Sequence, residues 1–551
     1  MKSQAKRQPI WLPLVISMAV VAGLFIGNRI SPDNYMAESD RKLNAILNLI
    51  NQDYVDTTNI KDLIEMSIPE ILSNLDPHTS YISAEEMRAL SVRPNGNVTD
   101  IGIQCEVIHD TAVVVEVDPG GPAAKVGIMP GDRILSIDSV ATIGDGISKA
   151  SVMKALRGPQ GSKVKLGIKR HRSPQVLTFI ATRNRTHTGT IDAHYMLDKN
   201  TGYIKVNQFG RHTYDEFMTA MNSLDNEGAK RYMIDLRGNG GGFMEMAVLM
   251  ANEFLPEGEL IVFTKGRYKR DDSEAWSDGK GSFQDAEVVV LIDEFSASAS
   301  EIFAGALQDN DRGLIVGCRS YGKGLVQQEF ILPDSSAIRL TTARYYTPSG
   351  RCIQKDYKHD NPLEYANELI ERYLHGEMAT SDSIKVDKSQ MFKTAHGRTV
   401  YGGGGILPDI FVPHDTTGLT AYYFEVENAG LLHQFAYNYC NDNRASLSKM
   451  SDYKQFLRMS PTDDALTKMF VDFAQANGVT PRWYYINVSR DIILTKLKAL
   501  IARTIFGSQA YYPILNRNDN TVQQALKALS KHKAVFPITE SLELKMIHPA
   551  Q

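Results

Sequence analysis

Ser298 stands in Ser296-Ala-Ser-Ala-Ser300, just after the apolar run Val288–Ile292 and just before an amphipathic stretch. The pattern predicts a buried strand over 287–292 and a helix over 300–308. A serine at such an elbow is exposed, with helix N-terminal amides beside it that suit a developing oxyanion. Its hydroxyl is a poor nucleophile without a base. Lys323, in Gly322-Lys-Gly324, follows twenty-five residues later. A lysine is such a base when burial makes its neutral amine accessible near neutral pH. Gln327 lies four residues further on, a spacing that shares a face on a helix or a strand, so it is placed to orient the amine.

Each of these residues also has a plainer reading. Ser298-x-x-Glu301 is a capping box. Gly317-x-x-x-x-Gly322-Lys323 nearly matches a phosphate loop, but Gly324 replaces the Ser or Thr that would hold Mg²⁺, and a strand pattern follows instead of a helix. Asp309, at the end of the helix, reads equally as an ion-pair partner or a catalytic helper. A Ser-His-Asp triad using His212 or His396 is a further alternative, though no G-x-S-x-G elbow surrounds Ser298.

Around these residues, strands and helices alternate from Gly202 to Gly317: strands at 202–206, 232–236, 287–292 and 314–316, helices at 215–224, 245–254 and 300–308. Such alternation predicts an α/β core with a parallel sheet. Val326–Leu332 and Ala337–Tyr346 flank Pro333-Asp-Ser-Ser336 and predict a hairpin. Short strands with Gly and Pro punctuation fill 98–180. Residues 31–90 and 415–551 read as helical. The domain reading is a signal-anchor segment at 1–30, a helical region at 31–91, a β-rich module at 92–182, an α/β core at 183–414 and a helical region at 415–551.

The β-rich module contains Pro119-Gly-Gly-Pro-Ala-Ala-Lys-Val-Gly-Ile-Met-Pro-Gly-Asp-Arg-Ile-Leu-Ser-Ile-Asp138 and resembles a PDZ domain. The resemblance implies capture of a chain terminus as an added strand, with Ile101, Gly102 and Ile103 forming the carboxylate loop. More broadly, Ser296–Ile302, Gln308-Asp309, Tyr321-Gly-Lys-Gly-Leu-Val-Gln327, Asp235-Leu-Arg-Gly-Asn-Gly-Gly-Gly242, Gly402-Gly-Gly-Gly-Ile-Leu-Pro-Asp409 and Leu75-Asp-Pro-His-Thr-Ser-Tyr81 resemble the C-terminal processing peptidases (tail-specific proteases) in motif and order. That resemblance implies Ser298 as nucleophile, Lys323 as general base, Gln327 as its orienting residue, and an oxyanion hole from the amide of Ala299 and that of Gly241 or Gly242. It implies no metal and no cofactor. The expected fold is α/β within a multidomain α+β chain: a protease core with a parallel sheet, an inserted PDZ domain, and helical N- and C-terminal regions.

The chain has 551 residues, 43% apolar and 23% charged, with 60 Lys and Arg against 64 Asp and Glu. That balance argues against a nucleic-acid partner. Cys105, Cys318, Cys352 and Cys440 include no C-x-x-C pair, which makes a zinc ribbon or redox site improbable. Lys2, Lys6 and Arg7 precede an apolar run from Ile10 to Ile26. This predicts a signal anchor in a bacterial inner membrane, with a cleaved signal peptide as the alternative, and in either case a catalytic body in the periplasm or otherwise outside the cytoplasm. The expected partners are protein or peptide substrates with free, apolar C-termini, the inner membrane, and a second copy or an adaptor protein. The competing function is a non-catalytic PDZ adaptor with a protease-like core.

Overall fold

The computed structural model describes residues 34–531, apart from 92–97, 109, 119, 145, 187–188 and 359–361. Two compact units divide after Asn74. The first contains helices Asn34–Asp53 and Ile60–Ser73, the second of these capped by the Asn59 side chain, which accepts from the Lys61 amide at 3.1 Å.

The second unit is built on a six-stranded sheet in the order Ile191–Met196, Thr201–Val206, Arg231–Asp235, Glu287–Ile292, Leu314–Gly317, Ile410–Phe411. The first pair is antiparallel and the rest are parallel. Register explains the apolar runs of the inner strands. Ile204, Ile234, Val290 and Ile315 lie abreast and face one core. Tyr203, Met233, Val289 and Leu314, one residue back, face the other. A parallel sheet buried on both faces needs cover on both. Helices Thr213–Asn226, Met244–Asn252 and Ala299–Asp309 supply residues to the first core. The other face is closed by Val522, Ala525, Ala528 and Leu529 of helix Asn520–Ser530.

A second, antiparallel sheet centres on strand Ala337–Tyr346, which pairs with Ser80–Ile82, Leu260–Gly266 and Leu325–Ile331. Its hairpin forms where the sequence predicts one, with Ser335 at φ 72° in the turn. Lys323 leads into strand Leu325–Ile331, not into a helix, so the phosphate-loop alternative lacks its helix.

The inserted module is a sheet in the order Ile103–Ile108, Thr111–Val117, Arg133–Ile137, Lys163–Lys169, Leu177–Thr182, with helix Lys149–Leu156 against it. Its neck is a two-stranded ribbon, Val98–Asp100 with Asn184–Thr186. Strand Ile103–Ile108 is the outer member of the sheet path. The C-terminal helices form their own core, which includes Phe435, Phe470, Leu497 and Ile501. They also brace the module: Tyr437 packs with Ile108, Val113 and Val115, and Asp442 bonds His171 at 3.0 Å.

The expected inner-membrane location is corrected here. Among the described residues no helix is long and apolar enough to cross a membrane. The run from Ile10 to Ile26 on which the expectation rested lies outside the described residues. All four cysteines are free.

Candidate active site

Three loops converge at the carboxyl ends of neighbouring parallel strands, the usual place for a site in such a sheet. Ser298 follows strand Glu287–Ile292, Lys323 follows Leu314–Gly317, and the glycine loop follows Arg231–Asp235. Of the three serines in the elbow, two are wholly buried and committed. The Ser296 hydroxyl donates to the Leu236 carbonyl at 2.9 Å, and the Ser300 hydroxyl donates to the Asn239 carbonyl at 2.9 Å. Ser298 alone is partly exposed. Its backbone is held at φ 56°, ψ −115°, a conformation L-residues rarely adopt and one that clusters at functional sites.

Glu301 explains how that turn is held. Its carboxylate is wholly buried and accepts four hydrogen bonds. Oε2 takes the amides of Ser298 at 2.8 Å and Lys323 at 2.9 Å. Oε1 takes the Gly322 amide at 2.7 Å and the Ser320 hydroxyl at 2.6 Å. One side chain thus ties the backbone of the serine turn to that of the lysine loop. Burial pushes its pKa up to about 7, against the four bonds that favour the anion. Tyr345 adds a second tie: its hydroxyl donates to the Lys323 carbonyl and lies 3.2 Å from the Ser298 carbonyl. Sequence reasoning saw Glu301 only as a cap and missed Tyr345.

Lys323 is half-buried, and burial, assisted by the charge of Arg339, draws its amine below the usual lysine value. Glu301 and Asp76 oppose that shift. Gln327 sits at a bulge in the hairpin, and its amide donates to the Thr341 hydroxyl at 3.3 Å. Thr341 donates in turn to Asp76 Oδ1 at 3.1 Å, and Asp76 also accepts from the Thr79 amide at 2.9 Å. The segment Leu75–Tyr81 therefore belongs to the surroundings of Lys323. His78 is part of it: burial, then the charge of Lys323, lowers its pKa to about 4.

The glycine loop lies hard against the serine turn. A Cβ on Gly241 would stand 2.6 Å from the Ala297 carbonyl oxygen, 2.7 Å from Ser298 Cβ and 2.9 Å from the Ala299 nitrogen. The Gly241 amide donates to Asn239 Oδ1 at 2.8 Å. Gly242 has φ 147°, and a Cβ there would meet the Phe209 carbonyl oxygen at 2.1 Å. Ala299, fully buried, opens the helix. Asp235 and Arg237 pair at 2.6 Å, and Arg237 also reaches Asp519 at 2.8 Å, which holds the start of the loop to the beginning of helix Asn520–Ser530.

Of the two readings of Asp309, the structure shows the ion pair. Asp309 forms a fully buried ion pair with Arg351 at 2.7 Å and accepts from the Ser349 amide at 3.1 Å. His396 is paired with Asp311, and His212 stands at the N-cap position of helix Thr213–Asn226 without a side-chain capping bond. In the inserted module Ile101, Gly102 and Ile103 are buried; Gly102 has φ 72°, and its amide donates to Asp100 Oδ1 at 2.7 Å.

Comparison with known proteins gives the family. Residues 200–361 match the model of peptidase family S41, residues 113–170 match the PDZ domain, and residues 422–507 match a family of unknown function. The carboxyl-terminal-processing protease of a Picosynechococcus species is 37% identical over 299 residues, covering 52% of this chain and 70% of that one. Its counterpart in a Synechocystis species is 32% identical over 376 residues, covering 64% and 86%. Among solved structures, a photosystem II D1 C-terminal processing protease is 28% identical, with 56% of this chain and 88% of that chain covered at a TM-score of 0.33. With matching motifs, a PDZ module and relatives covered over more than two thirds of their length, the chain belongs to the carboxyl-terminal processing proteases, S41-type serine peptidases.

Proposed function

We propose that this protein cleaves proteins near their C-termini with Ser298 as nucleophile and Lys323 as general base. The observation that carries the reading is the Glu301 carboxylate, whose single oxygen Oε2 accepts from the amides of both residues, at 2.8 and 2.9 Å. Neutral Lys323 takes the proton of Ser298 Oγ as that oxygen attacks a peptide carbonyl. The resulting ammonium protonates the leaving amine as the C–N bond breaks, and water then hydrolyses the ester. Gln327, tied to Thr341, orients the amine. The amides of Ala299 and Gly242 bind the oxyanion, since the Gly241 amide is engaged by Asn239.

The module captures the substrate by strand addition along Ile103–Ile108, the outer strand of its sheet. Gly102 shapes the carboxylate loop through its positive φ, and the amides of Ile101 and Ile103 meet the terminal carboxylate. The tail is apolar. Lys2, Lys6 and Arg7 ahead of the apolar run support export of the body.

The test is hydrolysis of an unfolded protein with an apolar C-terminus by wild type, Ser298→Ala and Lys323→Ala. Both variants are expected to bind substrate and leave it uncut. Cleavage by Ser298→Ala refutes the nucleophile assignment, and cleavage by Lys323→Ala refutes the base. Binding without cleavage by wild type favours an adaptor.

A further inference from the structure

Outside the catalytic loops, Glu294, Cys318 and His414 bring one carboxylate oxygen, one sulfur and one ring nitrogen within 4.8 Å of one another. We propose that these three side chains form a binding site for one thiophilic divalent cation of the zinc class.

Placement is the first argument. The three residues follow strands Glu287–Ile292, Leu314–Gly317 and Ile410–Phe411, which are neighbours in the parallel sheet. The site therefore belongs to the scaffold and not to one flexible loop. Geometry is the second. Tetrahedral zinc at ordinary bond lengths sets its ligand nitrogen and oxygen about 3.3 Å apart, and its sulfur and nitrogen about 3.6 Å apart. His414 Nε2 and Glu294 Oε2 already stand at 3.1 Å. The sulfur needs to close by at most about 1.2 Å to reach its edge of that tetrahedron, within reach of a side-chain rotation.

Donor chemistry narrows the ion. Thiolate, imidazole and a single carboxylate together suit zinc and its neighbours, not magnesium or calcium, which demand oxygen shells. Glu294 and Cys318 are buried, whereas the His414 side chain is 37% exposed, so the ion enters on the His414 side and solvent completes the fourth position. Existing bonds are exchanged: the Cys318 thiol now lies 3.3 Å from the Val412 carbonyl oxygen, and Tyr373 donates to the other oxygen of Glu294. As the metal–sulfur bond forms, the S–H bond breaks and its proton leaves to solvent. His414 binds through the Nε2 lone pair. Thiolate and carboxylate charges then balance the dication. Glu294 precedes Ser298 by four residues and Cys318 precedes Lys323 by five, so occupancy ties together the roots of both catalytic turns.

Cobalt(II) reports on such a site directly. Full-length protein titrated with CoCl₂ is expected to develop a sulfur-to-cobalt charge-transfer band and the intense visible bands of four-coordinate cobalt, saturating at one ion per chain and bleached by Zn²⁺. Cys318→Ser abolishes the charge-transfer band, and His414→Ala weakens binding at least tenfold, both with wild-type near-UV circular dichroism. Cys352→Ser, which alters a partly exposed cysteine outside the site, keeps the band. A wild type that shows no charge-transfer band, or a band that survives in Cys318→Ser, overturns the proposal.

Discussion

Glu301→Gln tests the tie between nucleophile and base at almost constant volume. Glutamine offers one oxygen where the carboxylate offers two. In either amide orientation, an NH₂ group faces two of the four donors that Glu301 now accepts: the Ser298 and Lys323 amides, or the Gly322 amide and the Ser320 hydroxyl. Each buried donor left unmatched costs about 1–3 kcal/mol, so the fold loses about 2–6 kcal/mol at pH 8. A 1 Å displacement of the reacting groups costs about 100-fold in rate, and kcat/KM should fall by that order. The pH profile carries the sharper signature. In wild type, protonation of Glu301 near pH 7 and protonation of Lys323 each remove activity as pH falls. The acid limb of log kcat/KM then steepens towards a slope of two, and Glu301→Gln reduces it to one. Because the folded pKa of Glu301 lies above its ordinary 4.5, this group's contribution to stability is full below about pH 4.5, is lost as pH rises through about 7, and is constant beyond. Assays are hydrolysis of an unfolded protein substrate from pH 5.5 to 9 and urea unfolding across the same range. A variant with wild-type kcat/KM and an unchanged limiting slope refutes the reasoning.

Other outcomes follow from features of the same unit. Gly242→Ala drives a Cβ into the Phe209 carbonyl and should lower kcat/KM by more than about 100-fold, as the peptidase assay will show. Asp309→Asn removes one charge of a buried pair with Arg351 and should cost about 3–5 kcal/mol in urea unfolding, with turnover per folded molecule retained; a selective loss of kcat would make Asp309 catalytic. Leu529→Ala opens a hole in the second core of the sheet and should cost about 2–5 kcal/mol, read by the same unfolding measurement.

The parallel strands were legible because both of their faces are buried, which leaves apolar runs such as Val288–Ile292 with helical patterns between them. The serine elbow was legible for the same reason, since a strand that ends at Ile292 and a helix that begins at Ala299 leave few positions for a turn. Choosing among Ser296, Ser298 and Ser300 needed either the family resemblance or the hydrogen bonds that commit the outer two. Glu301 read as a cap because its partners Gly322 and Lys323 are distant in sequence, and no local period reveals a carboxylate shared between two loops. The Gly241 amide differs: its partner Asn239 is only two residues away, a local turn contact that Asn side chains favour. The C-terminal region read as helical without a role, because an amphipathic pattern specifies a buried face but not what covers it. Here that cover is chiefly the other helices of the region, with Tyr437 on the inserted module and helix Asn520–Ser530 on the central sheet.

Helix Asn520–Ser530 has a consequence in time. Some two hundred residues separate it from strand Leu314–Gly317, which it helps to seal. At the usual 5–20 residues per second of synthesis, the row formed by Tyr203, Met233, Val289 and Leu314 waits roughly 10–40 s for its cover. Throughout that interval Arg237, at the entrance to the glycine loop, also lacks its Asp519 partner. Completion of the peptidase core is therefore a late event in the life of the chain, and an unfinished copy carries a sticky sheet before it carries a finished catalytic loop.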